Sequence, residues 1–142
     1  AITTTKKEID RQSTYDFGHN LGIAFQIKDD LFDILGSEFE TGKNSNSDVK
    51  KNMITLPLIH AKSKMSRIQK RKLNKLLSKN KKNKSTLLSI RELITEAGGI
   101  QYSIDKMEEY SNLALNAISD YPDSPIKVSL IDLVSYNGSR IK

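Results

Sequence analysis

From Thr5 to about Leu35 the chain carries one long helical pattern, and a helix of that length must find other helices to cover it. Thr5-Lys6-Lys7-Glu8 has the spacing of a capping box and opens the pattern. Phe17, Leu21, Ile23, Ala24, Phe25, Ile27, Leu31, Phe32, Ile34 and Leu35 make its second half too apolar for a solvated helix. Gly18 and Gly22 interrupt it, each at a cost of about 1 kcal/mol relative to Ala. Both fall near one side of the helix, where a missing side chain lets a neighbouring helix or a ligand approach the backbone. Close helix packing is the commoner reason for such glycines.

Gly36 ends the helix, and Ser37 to Asn52 reads as a loop rich in Gly, Ser, Asn and charge. Ile54-Thr55-Leu56-Pro57-Leu58-Ile59 starts a second helix, with Pro57 tolerated in its first turn. Helical patterns follow at about 66–79 and 85–97, the latter stopped by Gly98-Gly99, and then from Ile100 to Asp120. Tyr121-Pro122-Asp123-Ser124-Pro125 is a turn, with Ser124 as N-cap and Pro125 at the first helical position of a last helix through Val134. No alternating strand pattern, internal repeat or domain boundary occurs. The expected fold is all-α, one domain over residues 1–142 built as a bundle of about six helices.

Within the apolar half of the first helix lie Gln26, Asp29, Asp30 and Asp33. At 100° per residue they share an arc of roughly 100°, one stripe of a helix whose other sides want burial. A solvated acidic face is the commoner explanation for three acids, but carboxylates set among apolar residues and facing one way call for a cation. The chain has no cysteine, and His19 and His60 are not spaced to join the cluster, which argues against a zinc or thiolate centre. Mg²⁺ suits the stripe, because it binds through one or two carboxylates and takes further ligands from water and substrate phosphates. A substrate bearing phosphate or diphosphate follows. In the loop beyond, Thr41-Gly42-Lys43 places a lysine able to swing toward phosphate oxygens.

The net charge of +6 conceals a segregation. Eleven Lys or Arg and no acid lie between Lys62 and Lys84, while the remainder is acidic on balance. Such a block suits nucleic acid, an anionic membrane surface or an acidic partner. It holds no aromatic residue to stack on bases, and no zinc-finger or RNA-binding motif occurs elsewhere, so no specific nucleic-acid partner is expected. Met65, Ile68, Leu73, Leu76 and Leu77 suggest a helix with a narrow apolar face and its lysines in water. No run reaches the roughly 18 apolar residues of a membrane span, and a cytoplasmic protein is the default expectation.

Gly22-Ile23-Ala24-Phe25-Gln26-Ile27-Lys28-Asp29-Asp30-Leu31-Phe32-Asp33-Ile34-Leu35-Gly36 resembles the second aspartate-rich motif of the trans-isoprenyl diphosphate synthases, the polyprenyl synthetase family. Thr41-Gly42-Lys43, Asp48 and Thr55-Leu56-Pro57-Leu58-Ile59 follow in that family's order and spacing. Gly98-Gly99-Ile100 and the Tyr121-Pro122-Asp123-Ser124 turn resemble the end of its bacterial members. The resemblance implies the C-terminal part of the isoprenoid synthase fold, in which two aspartate-rich helices face each other across a deep cavity. It implies condensation of an allylic prenyl diphosphate with isopentenyl diphosphate, with Asp29, Asp30 and Asp33 holding Mg²⁺ on the allylic diphosphate. Phe25 and Gln26 would then lie against the prenyl group, Lys43 would bind the diphosphate, and the full-length protein would be a homodimer.

Three departures accompany the resemblance. Members are roughly twice as long, so the first aspartate-rich motif and the basic residues for isopentenyl diphosphate are expected before Ala1 or on a partner subunit. Met53 stands where members commonly have lysine, with Lys50 and Lys51 nearby, and Tyr136 to Arg140 lacks a continuous basic tail. The isolated chain is therefore expected to be inactive. A non-catalytic regulatory or scaffolding subunit of a heteromeric synthase is the rival reading, and a class I terpene cyclase a third. Phe25-Gln26 before the aspartates and the Gly-Lys loop after them favour chain elongation.

Overall fold

A computed structural model describes residues 7–35 and 54–139. Among them are six α-helices and no strand: α1 (Glu8–Leu35), α2 (Leu56–Lys64), α3 (Arg67–Leu77), α4 (Lys84–Glu96), α5 (Gly99–Ala117) and α6 (Pro125–Ser139). The all-helical expectation holds, with each described helix starting within a few residues of its sequence signal and the last helix running on to Ser139. The capping box at Thr5, the stop at Gly36 and the 37–52 loop lie outside the described residues.

Local chemistry explains most of the boundaries. Glu8 and Asp10 occupy the first turn of α1, where the helix dipole favours negative charge. Ser66 and Gln69 make a reciprocal capping box at the start of α3, and the Asn83 side chain accepts the Thr86 amide at 2.9 Å to start α4. Gly98 adopts φ 76° between α4 and α5, a left-handed conformation that favours glycine. Ser124 Oγ accepts the Lys127 amide at 3.1 Å, so the expected cap before Pro125 is formed.

Two compact units are distinguishable among the described residues, one from 7–28 with 105–139 and the other from 29–35 with 54–104. The first has a core of Phe17, Ala114, Ile118 and Val134, with Leu21, Leu130 and Tyr121 packed against it. Tyr121 also donates its hydroxyl to the Asp10 main-chain oxygen at 3.4 Å. In the second, Leu31 and Ile34 of α1 are buried, as are Leu58 and Ala61 of α2, Leu73 of α3 and Ile90 and Ile94 of α4. Here α4 packs on both α2 and α3. Full burial of a Leu or Ile side chain contributes about 1.5–3 kcal/mol, so the alternation of these residues with polar ones sets each helix's rotation.

Gly99 shows the closest packing. A Cβ there would collide with the Pro57 carbonyl oxygen and stand 3.0 Å from Ile94 Cγ2 and 3.1 Å from Ala61 Cβ. The start of α5 therefore meets α2 backbone to side, and only glycine fits. Gly18 and Gly22 differ from expectation, because a Cβ at either meets nothing within 4 Å. Packing against another helix among the described residues does not explain them.

Candidate functional site

The buried residues of α1 near its C-terminal end are Ala24, Ile27, Lys28, Leu31 and Ile34, spaced by three and four. Gln26, Asp29, Asp30 and Asp33 consequently occupy the other side of the same helix, with Gly18 and Gly22 in line before them. Gln26 and Asp29 are exposed, and Asp30 and Asp33 are half-buried. Phe25 is 55% exposed. The structure thus keeps the stripe and corrects its setting: the carboxylates are not enclosed by the apolar residues around them in sequence, because those residues turn to the opposite face. Helical register alone holds Gln26, Asp29, Asp30 and Asp33 in one row.

Asp30 carries a second role. Its Oδ2 accepts the Leu56 amide at 3.3 Å, at the N-terminus of α2. Thr55, the N-cap of α2, makes no capping bond with its own side chain, so a carboxylate from α1 serves instead. This contact joins the stripe to the Thr55–Ile59 segment that follows the motif in sequence. At the other end, Arg91 of α4 donates from Nη1 to the Leu35 carbonyl at 3.2 Å, satisfying an end-of-helix acceptor. Lys43, Asp48 and Met53 lie outside the described residues.

Lys28 was not singled out by its charge pattern, and it is the buried polar residue nearest the stripe, at 4% exposure. Its Nζ donates to the Tyr136 carbonyl at 3.3 Å and lies 5.6 Å from the centre of the Tyr136 ring. A signal for it existed: position 28 belongs to the series 17, 21, 24, 28, 31, 35 that otherwise holds apolar residues.

The donor set fits a hard cation. Every side chain of the stripe offers oxygen; His19 stacks on Tyr15 at 5.5 Å and His60 on Tyr102 at 3.8 Å. Among the described residues no three His, Asp or Glu side chains converge to enclose a metal. An open stripe of this kind suits Mg²⁺ held by one or two carboxylates with phosphate oxygens completing its shell.

The polyprenyl synthetase family pattern matches residues 1–94. A prenyl transferase from Cyanidium caldarium is 38% identical over 119 residues, covering 84% of this chain and 35% of that protein. The crystal structure of geranylgeranyl pyrophosphate synthetase from Pyrococcus horikoshii superposes with a TM-score of 0.87 at 28% identity, over 96% of this chain and 41% of that one. Polyprenyl synthase from Caulobacter crescentus, complexed with calcium and isoprenyl diphosphate, gives 0.84 at 26% identity over 94% of this chain and 41% of that one. The chain therefore spans about two fifths or less of the length of these relatives. Its aspartate stripe, the helices among its described residues and these likenesses agree: the chain belongs to the polyprenyl synthetase family.

Proposed function

We propose that this chain supplies one wall of a prenyltransferase site that condenses isopentenyl diphosphate with an allylic prenyl diphosphate. The observation that carries the reading is the all-oxygen stripe of Gln26, Asp29, Asp30 and Asp33 on the side of α1 away from its buried face. The calcium and isoprenyl diphosphate bound in the Caulobacter relative support a hard dication and a prenyl diphosphate as its ligands.

Mg²⁺, when bound, offsets the negative charge that grows on the leaving diphosphate. Asp29, Asp30 and Asp33 would hold it, and Asp30 also accepts the Leu56 amide at 3.3 Å. Gln26, one turn before Asp29, contacts the head of the prenyl group, and Phe25 lends an aromatic face to its chain. Lys43 binds the diphosphate as a point charge. Cleavage of the allylic C–O bond leaves an allylic cation, the isopentenyl double bond adds to it, and the proton lost from the adduct goes to the departing diphosphate. This chain's residues orient the allylic diphosphate and favour its ionisation.

The isopentenyl diphosphate site and the opposing aspartates belong, on this reading, to the family length that this chain does not span, in one polypeptide or in a partner. One wall cannot align two substrates. Incubation of the isolated chain with Mg²⁺, isopentenyl diphosphate and a short allylic diphosphate is expected to yield negligible elongation. Robust chain growth by this chain alone overturns the division of the site. A non-catalytic subunit of a heteromeric synthase is the second reading, favoured by the short span; the complete Asp29, Asp30 and Asp33 set counts against it.

A further inference from the structure

Helix α3 departs from its sequence reading at one residue. Leu73 is fully buried and Leu76 and Leu77 half-buried, but Ile68, expected on the same apolar face, is 80% exposed. Relative to Leu73 it lies some 140° around the helix, in the midst of Arg71, Lys72 and Lys75 at i+3, i+4 and i+7. Arg67, Lys70, Arg71, Lys72 and Lys75 are all exposed, and among the described residues none of the five has an acidic partner. We propose that the outer face of α3, with Ile68 set among Arg71, Lys72 and Lys75, is a docking surface for an anionic lipid bilayer.

A merely solvated helix face does not account for this arrangement. Solvated helices gain from opposite charges at i,i+4; α3 has none and instead places like charges there twice, Arg67 with Arg71 and Arg71 with Lys75. No acid stands in its first turn, where Arg67 faces the positive end of the helix dipole. Each choice weakens the helix in isolation, and each is relieved by a surface of negative charge. Lysines 64, 79, 81 and 84, in the segments that flank α3 in sequence, are exposed as well. A lipid surface suits it better than nucleic acid, because the block offers no aromatic ring for a base but does offer an aliphatic side chain that can enter the headgroup layer. The docking is peripheral: no described helix is long and apolar enough to cross a membrane.

The chain has no tryptophan, which makes a direct reporter available. The test mixes the full chain with vesicles of phosphatidylcholine alone, or of phosphatidylcholine with about one part in three phosphatidylglycerol, and follows cosedimentation at low and moderate salt. Binding to the anionic vesicles only, weakening with salt, is expected. Arg71→Gln, Lys72→Gln and Lys75→Gln together should reduce it about a hundredfold, since each cation near an anionic leaflet is worth about fivefold. Ile68→Trp should shift its emission to the blue with anionic vesicles and not with neutral ones, while Ile68→Ser lowers partitioning severalfold. All four positions are exposed, and helix content by circular dichroism verifies that the variants fold. Equal binding to both vesicle types, binding to neither, an unaffected triple variant, or tighter binding to single-stranded RNA at matched phosphate concentration overturns the proposal.

Discussion

Asp29 and Asp30 are adjacent acids with different obligations. Asp30 accepts an amide at the start of α2, whereas Asp29 projects from the exposed side of α1. Asp30→Ala removes a helix-start acceptor and is expected to destabilise the chain by about 1–2 kcal/mol in thermal unfolding, whereas Asp30→Asn keeps an acceptor oxygen and should avoid most of that loss. Asp29→Ala is expected to leave stability within about 0.5 kcal/mol, as exposed substitutions do. In an enzyme carrying both walls, Asp29→Ala should nevertheless lower Mg²⁺-dependent turnover by two or more orders of magnitude. Unchanged turnover with Asp29→Ala removes that residue from the site. The shared stripe of Asp29, Asp30 and Asp33 was legible from helical register alone. The Asp30–Leu56 contact was not, because it joins residues 26 apart and depends on how α2 is seated.

Among the helices, glycines separate packing from access. Gly99→Ala meets the Pro57 carbonyl and is expected to cost about 1–3 kcal/mol or more, because backbone cannot move aside as a side chain end can. Gly22→Ala enters open space within a helix and is expected to stabilise the chain by up to about 1 kcal/mol, measurable as a raised Tm. If Gly22 serves ligand approach along the stripe, the same substitution slows the complete enzyme; a stabilised variant with undiminished turnover sinks that role. Sequence reading located the starts of the six described helices, two of them through Pro57 and Ser124 and the rest through the helical spacing, and found the α4–α5 break through Gly98-Gly99. It overlooked the Ser66–Gln69 capping box, which a Ser-x-x-Gln search would have found. Ile68 was misjudged for another reason: five residues before Leu73, it stands some 140° around the helix from that buried side chain and outside the arc of Leu73, Leu76 and Leu77.

At the scale of the molecule, α6 leaves several apolar side chains in water. Ile126, Val128, Ile131, Leu133 and Tyr136 of α6 are exposed, Ile126 at 74%, although Val134 of the same helix is buried. A helix apolar on several sides belongs in a packed setting, and this chain spans about two fifths of the length of its solved relatives. Binding of a hydrophobic dye is expected, and Ile126→Ser with Leu133→Ser should reduce its fluorescence without lowering Tm; undiminished fluorescence would place the exposed apolar surface elsewhere. One feature of the topology bears on synthesis. The compact unit of residues 29–35 and 54–104 is complete once Ile104 has left the ribosome, whereas the other unites residues 7–28 with 105–139. Lys28 waits for Tyr136, 108 positions later, and Tyr121 must be made before it can reach Asp10. The nascent chain therefore holds the first three quarters of α1 without its core partners until residues 105–139 have been made, and during that interval Phe17 is the residue most in need of a chaperone's cover.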